Sequence, residues 1–215
     1  MRLACATDSE CDVHARTYGP EPGQSPKGGP SVGRRESTLH SYPAAVDLVF
    51  DAFVADDVDA LAAWLAAETW PFHGVRQTWT EAEVVAAVAA GDFTGVNRSF
   101  WARSGADRVG LLRFRYLDET SPDVDVRVVA RFRGRGIGTA MLDWAARYVF
   151  TETARHRLSG ETRIDNVPMR RAFERCGWTQ EAHYRASWPD GDGGWIDSIG
   201  YAILRDEWDP RARPS

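Results

Sequence analysis

The residues best placed to do chemistry are Arg133-Gly134-Arg135-Gly136-Ile137-Gly138-Thr139, which lie between an alternating apolar stretch and a helical one. A strand that ends in such a run and turns straight into a helix points several backbone amides, and the positive end of the helix dipole, at one spot. That is an anion site by construction. Glycines let the backbone approach a phosphate and take positive φ where a side chain would clash. Two familiar phosphate cradles do not fit. A Walker pattern needs a Gly, four residues, a second Gly, then Lys and Ser or Thr, and no such string occurs. The dinucleotide fingerprint would require glycine where Thr139 stands, and it belongs after the first strand of a βαβ unit. What fits is an Arg or Gln, two residues, Gly, one residue, then Gly or Ala.

The elements that must hold this run can be read outward from it. Before it, Val124, Val126 and Val128 share one face of a strand over residues 123–129. After it, Ile137, Met141, Leu142, Ala145, Tyr148 and Val149 line one side of a long helix. Upstream, a strand ends near Phe50, and Asp56 or Asp57 caps a helix carrying Val58, Leu61, Ala62 and Leu65. Thr80 to Glu83 is a capping box opening a second helix with Val84, Val85 and Val88 as its apolar face and Gly91 as its stop. Two strands, about Phe100 to Arg103 and Val109 to Leu117, flank a turn at Gly105. Downstream come a strand from Arg157 to Arg163 and a short helix from Asn166 that accepts Pro168 in its first turn and ends at Gly177. A hairpin with arms Thr179 to Trp188 and Trp195 to Leu204 follows. The order is mixed α/β without a regular βα repeat.

Composition sets the limits. The formal net charge of −5 argues against nucleic acid as partner, yet eleven arginines between Arg127 and Arg175 would suit a compact polyanion. Cys5, Cys11 and Cys176 have neither metal-ligand nor disulfide-framework spacing, so we expect no metal and a reducing cytoplasmic setting. No apolar run reads as a signal sequence or a membrane span. Residues 1–43 are rich in Gly, Pro and Ser and are expected to form a disordered tail, with the domain over 44–209 and a short tail over 210–215.

With Arg133 to Gly138 at a strand–helix junction, the chain resembles the GNAT superfamily of N-acetyltransferases, whose loop of this pattern holds the pyrophosphate of acetyl-CoA. Residues 166–178, in which Asn166 starts a short helix and Trp178 follows the closing Gly177, resemble the second motif of that family. Residues 197–208 resemble its branch of ribosomal-protein N-terminal acetyltransferases. The resemblance implies an α/β (α+β) fold, a mixed, mostly antiparallel sheet of about seven strands flanked by about four helices. It also implies direct attack of a primary amine on acetyl-CoA in a ternary complex. The acceptor is left open between a small metabolite, an aminoglycoside-like compound and a protein N-terminus. A homodimer is compatible with it, and no nucleic-acid or membrane partner is expected.

The family also implies roles for single residues. The loop amides from Gly134 to Thr139 would hold the pyrophosphate, with Arg133 and Arg135 as supplements or as solvated surface charges. The backbone of Val126 and Val128 would meet the pantetheine and stabilise the oxyanion. Asn166 would reach the pantetheine arm, or serve only as a helix cap. Phe173 stands where the family often has a tyrosine that protonates the thiolate, which leaves Tyr184 or solvent for that step and keeps open a CoA-binding sensor without turnover. For the general base, Asp125 comes first and Glu161 second, each with an ion-pair role as its rival. Trp70 to Gly74 is a possible aromatic wall of the acceptor site, with His73 a base or a surface residue.

Overall fold

The computed structural model describes residues 47–73, 77–190 and 193–209. The expected tails at 1–43 and 210–215, with Cys5 and Cys11, lie outside the described residues, as do Gly74 and the tip of the last hairpin.

Seven strands form one sheet: β1 (Val49–Ala52), β2 (Arg98–Ser104), β3 (Asp107–Arg115), β4 (Asp123–Val128), β5 (Arg157–Arg163), β6 (Thr179–Pro189) and β7 (Trp195–Leu204), in the order β1-β2-β3-β4-β5-β7-β6. Every neighbouring pair is antiparallel except β4 and β5. Helices α1 (Val58–Ala66) and α2 (Glu81–Ala89) pack against one face, and α3 (Ile137–Glu152) and α4 (Val167–Arg175) against the other. This is the mixed, mostly antiparallel architecture expected.

Alternation along the strands divides the core in two. Trp101 and Leu111 join Leu61, Leu65, Trp70 and Val84 on the α1/α2 face. Phe100, Leu112, Phe114, Val124 and Val126 join Ile137, Met141, Leu142, Val149 and Phe173 on the other. The capping box at Thr80 and Glu83 forms as read, each side chain taking the other residue's backbone amide. Two local readings need correction. Val85 is 42% exposed, and Ala87 takes its place beside Val84 and Val88, because a turn of 100° per residue sets i, i+3 and i+4 on one stripe. Asp57 occupies the N-cap of α1 without a side-chain cap bond, since a 3-10 turn over Ala55–Asp57 runs into that helix.

β4 and β5 are bridged at one position only, Asp123 opposite Ser159, and part beyond it. Toward Val128 and Arg163 the sheet therefore opens into a wedge. Its mouth meets the glycine run on the α3/α4 face, while its other face carries Asp123, Asp125 and Arg127 opposite Ser159, Glu161 and Arg163.

Candidate active site

The glycine run bends as its composition requires. Gly134 and Gly136 have φ of 75° and 82°, a region open to glycine at little cost, and Gly136 is the N-cap of α3. Ala140 is the first helix amide to find a carbonyl, that of Gly136. Among the described residues, no acceptor meets the amides of Gly134 to Thr139, the orphan donors of a helix start. A Cβ built on Gly134 or Gly138 would meet nothing within 4 Å. Close packing therefore does not demand glycine at those two positions; at Gly134 the positive φ does. Ile137 is 3% exposed and anchors the run to the core, so its amide and not its side chain faces the mouth. Thr139 accepts from the buried Cys176 through its carbonyl and so ties α3 to α4.

The two arginines of the run differ. Arg133 folds back, its Nε donating to the Val128 carbonyl at 2.9 Å and its Nη2 to Thr69 at 3.2 Å. It braces the run against the segment after α1. Arg135 is exposed, lies over the Phe132 ring and forms no side-chain hydrogen bond among the described residues, so its charge remains available to an anion.

In the wedge, Val126 and Val128 turn their carbonyls to His73 and Arg133 respectively. His73 Nε2 is 3.2 Å from both the Val126 carbonyl and Asp125 Oδ1. Asp125 also takes Arg113 at 3.0 Å and Arg127 at 3.3 Å. Burial pushes its carboxyl up, but Arg127, His73 and Arg113 outweigh burial and hold it well below the usual carboxylate range. Such a group is a poor proton acceptor near neutrality. The first choice for general base is thus a structural hub, because arginines from β3 and from β4 itself and an imidazole from the segment after α1 converge on it. His73 is pushed below its ordinary value, by burial first and then by Arg127, and stands as neutral imidazole. Trp70 is fully buried, its Nε1 donating to the Leu65 carbonyl, so the expected aromatic wall is largely core.

Two further expectations change on the α4 side. Asn166 accepts from Met169 N–H at 3.4 Å and donates to Thr162 Oγ1 at 2.9 Å, so its amide serves the cap and the neighbouring strand. Phe173 is fully buried and stacks on Tyr201 with ring centres 4.8 Å apart. It is core beneath α4 and offers no surface to a cofactor.

Glu161 and Tyr184 do meet. They line a cleft of about 120 Å³ on the wedge face away from α3 and α4, with Asp123, Arg157, Ser159 and Glu181. The Tyr184 ring lies over Gly200, where an added Cβ would sit 3.2 Å from it. Asp123 pairs with Arg115 and Glu181 with Arg157. Glu161 has no ion-pair partner among the described residues; it accepts from Ser198. A larger cleft of about 700 Å³, beside Trp64 and Trp101, has its arginines Arg103, Arg108 and Arg131 matched by Asp51, Asp57 and Asp107. Size rather than reactive chemistry distinguishes it.

The sequence model of the acetyltransferase (GNAT) domain matches residues 47–179, more than half of the chain. The chain belongs to the GNAT acetyltransferase family. Family members transfer acetyl groups from acetyl-CoA. A search of curated proteins finds no match. Solved structures share the GNAT fold: RimJ of Mycobacterium smegmatis in complex with CoA-disulfide is 20% identical with a TM-score of 0.65, over 77% of this chain and 85% of that one. The Vibrio cholerae spermidine N-acetyltransferase in complex with CoA and spermine is 16% identical with a TM-score of 0.64, over 74% and 96%. A GNAT acetyltransferase from Bacillus anthracis is 21% identical with a TM-score of 0.62, over 74% and 96%.

What sequence reading missed in this GNAT chain is the company its carboxylates keep. Arg113 and Ser187 carried no motif, Ser198 was given no role within its segment, and only register across β3, β6 and β7 brings them in.

Proposed function

We propose that this GNAT protein transfers the acetyl group of acetyl-CoA to a primary amine by direct attack within a ternary complex. The observation that carries this reading is the wedge between β4 and β5, which has free loop amides at its mouth on one side and the Glu161–Tyr184 cleft on the other. Acetyl-CoA would lay its pyrophosphate on the amides of residues 134–139, aided by Arg135, and extend its pantetheine into the wedge toward the amides of Val126 and Val128. The acceptor would enter from the cleft as an ammonium ion beside Glu161, the cleft carboxylate with no ion-pair partner among the described residues. Glu161 takes one proton from the ammonium and so frees the nitrogen lone pair. The nitrogen bonds to the acetyl carbon as the carbon–sulfur bond breaks, and the second nitrogen proton, released as the amide forms, balances the one the thiolate takes up. Tyr184, on the same cleft, is placed to return a proton to the thiolate.

The burial of Phe173 favours a second reading, a CoA-binding sensor without turnover, because the short helix then supplies no acid. Steady-state thiol release with acetyl-CoA and a panel of amines, including polyamines and peptides with free N-termini, separates the two. Transfer to at least one amine is expected, with Glu161→Gln lowering kcat by roughly a hundredfold or more. Acetyl-CoA binding without thiol release on any amine would favour the sensor.

A further inference from the structure

We propose that Ser198 and Ser187 are positioning residues for Glu161, forming a file of hydroxyls that takes up its proton and leads it to solvent. This rests on the acetyl-transfer reading of the cleft. Ser198 on β7 is fully buried and donates to Glu161 Oε1. Its Oγ lies 2.6 Å from Ser187 Oγ, and either oxygen can be the donor. Ser187 is exposed and reaches the Tyr184 carbonyl at 3.3 Å. The file therefore runs from the cleft to the surface of β6.

Counting hydrogens gives the file its direction. Its three contacts, Glu161 to Ser198, Ser198 to Ser187 and Ser187 to the Tyr184 carbonyl, have two hydroxyl hydrogens between them while Glu161 is ionised. One contact is then unmade. When Glu161 takes a proton from the substrate nitrogen, both hydroxyls can turn outward and all three contacts are filled. Release completes the cycle: the Glu161 proton passes to Ser198, the Ser198 hydrogen to Ser187, and the Ser187 hydrogen to water. Both hydroxyls and the carboxylate are regenerated, and the thiolate is protonated separately.

The placement of Ser187 is built at some cost. Register between β6 and β7 slips from Tyr184 opposite Ser198 to Trp188 opposite Ile196, and within this bulge Ala186 has φ of 46°, uncommon for a residue with a Cβ. Asp197 holds the bulge, taking the Ala186 N–H at 2.8 Å and His183 Nε2 at 2.6 Å. Bulges near active sites re-aim side chains, and this one turns Ser187 onto Ser198. The charged groups around Glu161 are already engaged: Asp123 from β4 with Arg115, Arg157 of its own strand with Glu181 from β6, and Asp197 from β7 with His183. Tyr184 and the buried Tyr201 are the remaining titratable residues lining the cleft.

The test uses the full chain and an amine that it acetylates, with kcat and KM followed against pH for wild type, Ser187→Ala and Ser187→Thr. Without Ser187 the single hydrogen of Ser198 serves the carboxylate alone and favours its charged form. Ser187→Ala should move the acidic limb of kcat/KM to lower pH by roughly half to one unit and lower kcat, with Ser187→Thr close to wild type. An unmoved limb in Ser187→Ala, or a Ser187→Thr enzyme as impaired as Ser187→Ala, would overturn the file. Wild-type protein that transfers acetyl to no amine would instead overturn the acetyl-transfer reading, and the file with it.

Discussion

Three acidic residues on one sheet face behave differently because of what stands beside each. Asp125 is surrounded by two arginines and a histidine, Asp123 has one arginine, and Glu161 has a serine. Burial, opposed by Arg115, pushes the Asp123 carboxyl up to about 6. The sign of its effect on stability follows: the folded state binds this proton more tightly than the unfolded chain. The stabilisation is therefore present at low pH and is lost as pH rises from 3.8 to about 6. Asp123→Asn removes that titration. Its stability relative to wild type should accordingly rise across the same window by about 1–3 kcal/mol, whatever constant offset the lost Arg115 pair adds. Urea unfolding at several pH values checks this, and parallel wild-type and variant curves would refute it. Residue types were legible in the sequence at all three positions, but which of Asp125 and Glu161 is engaged by arginines was not. Their decisive neighbours lie far along the chain, as with Ser198 at 37 residues from Glu161.

At the scale of elements, the strand–loop–helix unit from β4 to α3 was readable because its determinants are contiguous: alternation, then glycines at positive φ, then a helical stripe. The unit also yields a comparison between a backbone and a side-chain change. Gly136→Val places a β-branched residue at φ of 82° and disrupts several amides at once, whereas Arg135→Ala removes one exposed charge. Calorimetric titration with acetyl-CoA should show a loss of about 3 kcal/mol or more for the glycine variant. For Arg135→Ala the weakening should be only several-fold, in line with the roughly 0.2–1 kcal/mol of an exposed ion pair. Circular dichroism confirms that both variants are folded before binding is compared. Wild-type affinity in Gly136→Val would mean that the turn serves packing and not phosphate. By contrast, the bulge in β6 had no sequence signal, since Ala186 is not a residue type that announces a left-handed backbone.

For the whole molecule, ligand linkage is the broadest test. Acetyl-CoA at a hundredfold excess over its Kd should stabilise the native state by about 2.7 kcal/mol and raise Tm by roughly 5–10 °C, while NAD and ATP should not. An equal shift with NAD would contradict the assignment of the loop. No helix among the described residues is long and apolar enough to cross a membrane. The sequence by itself determined the order of elements, the caps of α2 and α4 and the glycine turn that opens α3, because each depends on residues within a turn or two of one another. Tertiary structure alone decided that β4 and β5 part after one bridge, that Arg133 and Asp125 serve as braces, and that Glu161 faces a cleft beside Tyr184. Those outcomes depend on strand register and on which charges are brought together by distant segments. Charge pairing has no period along the chain from which it could be read.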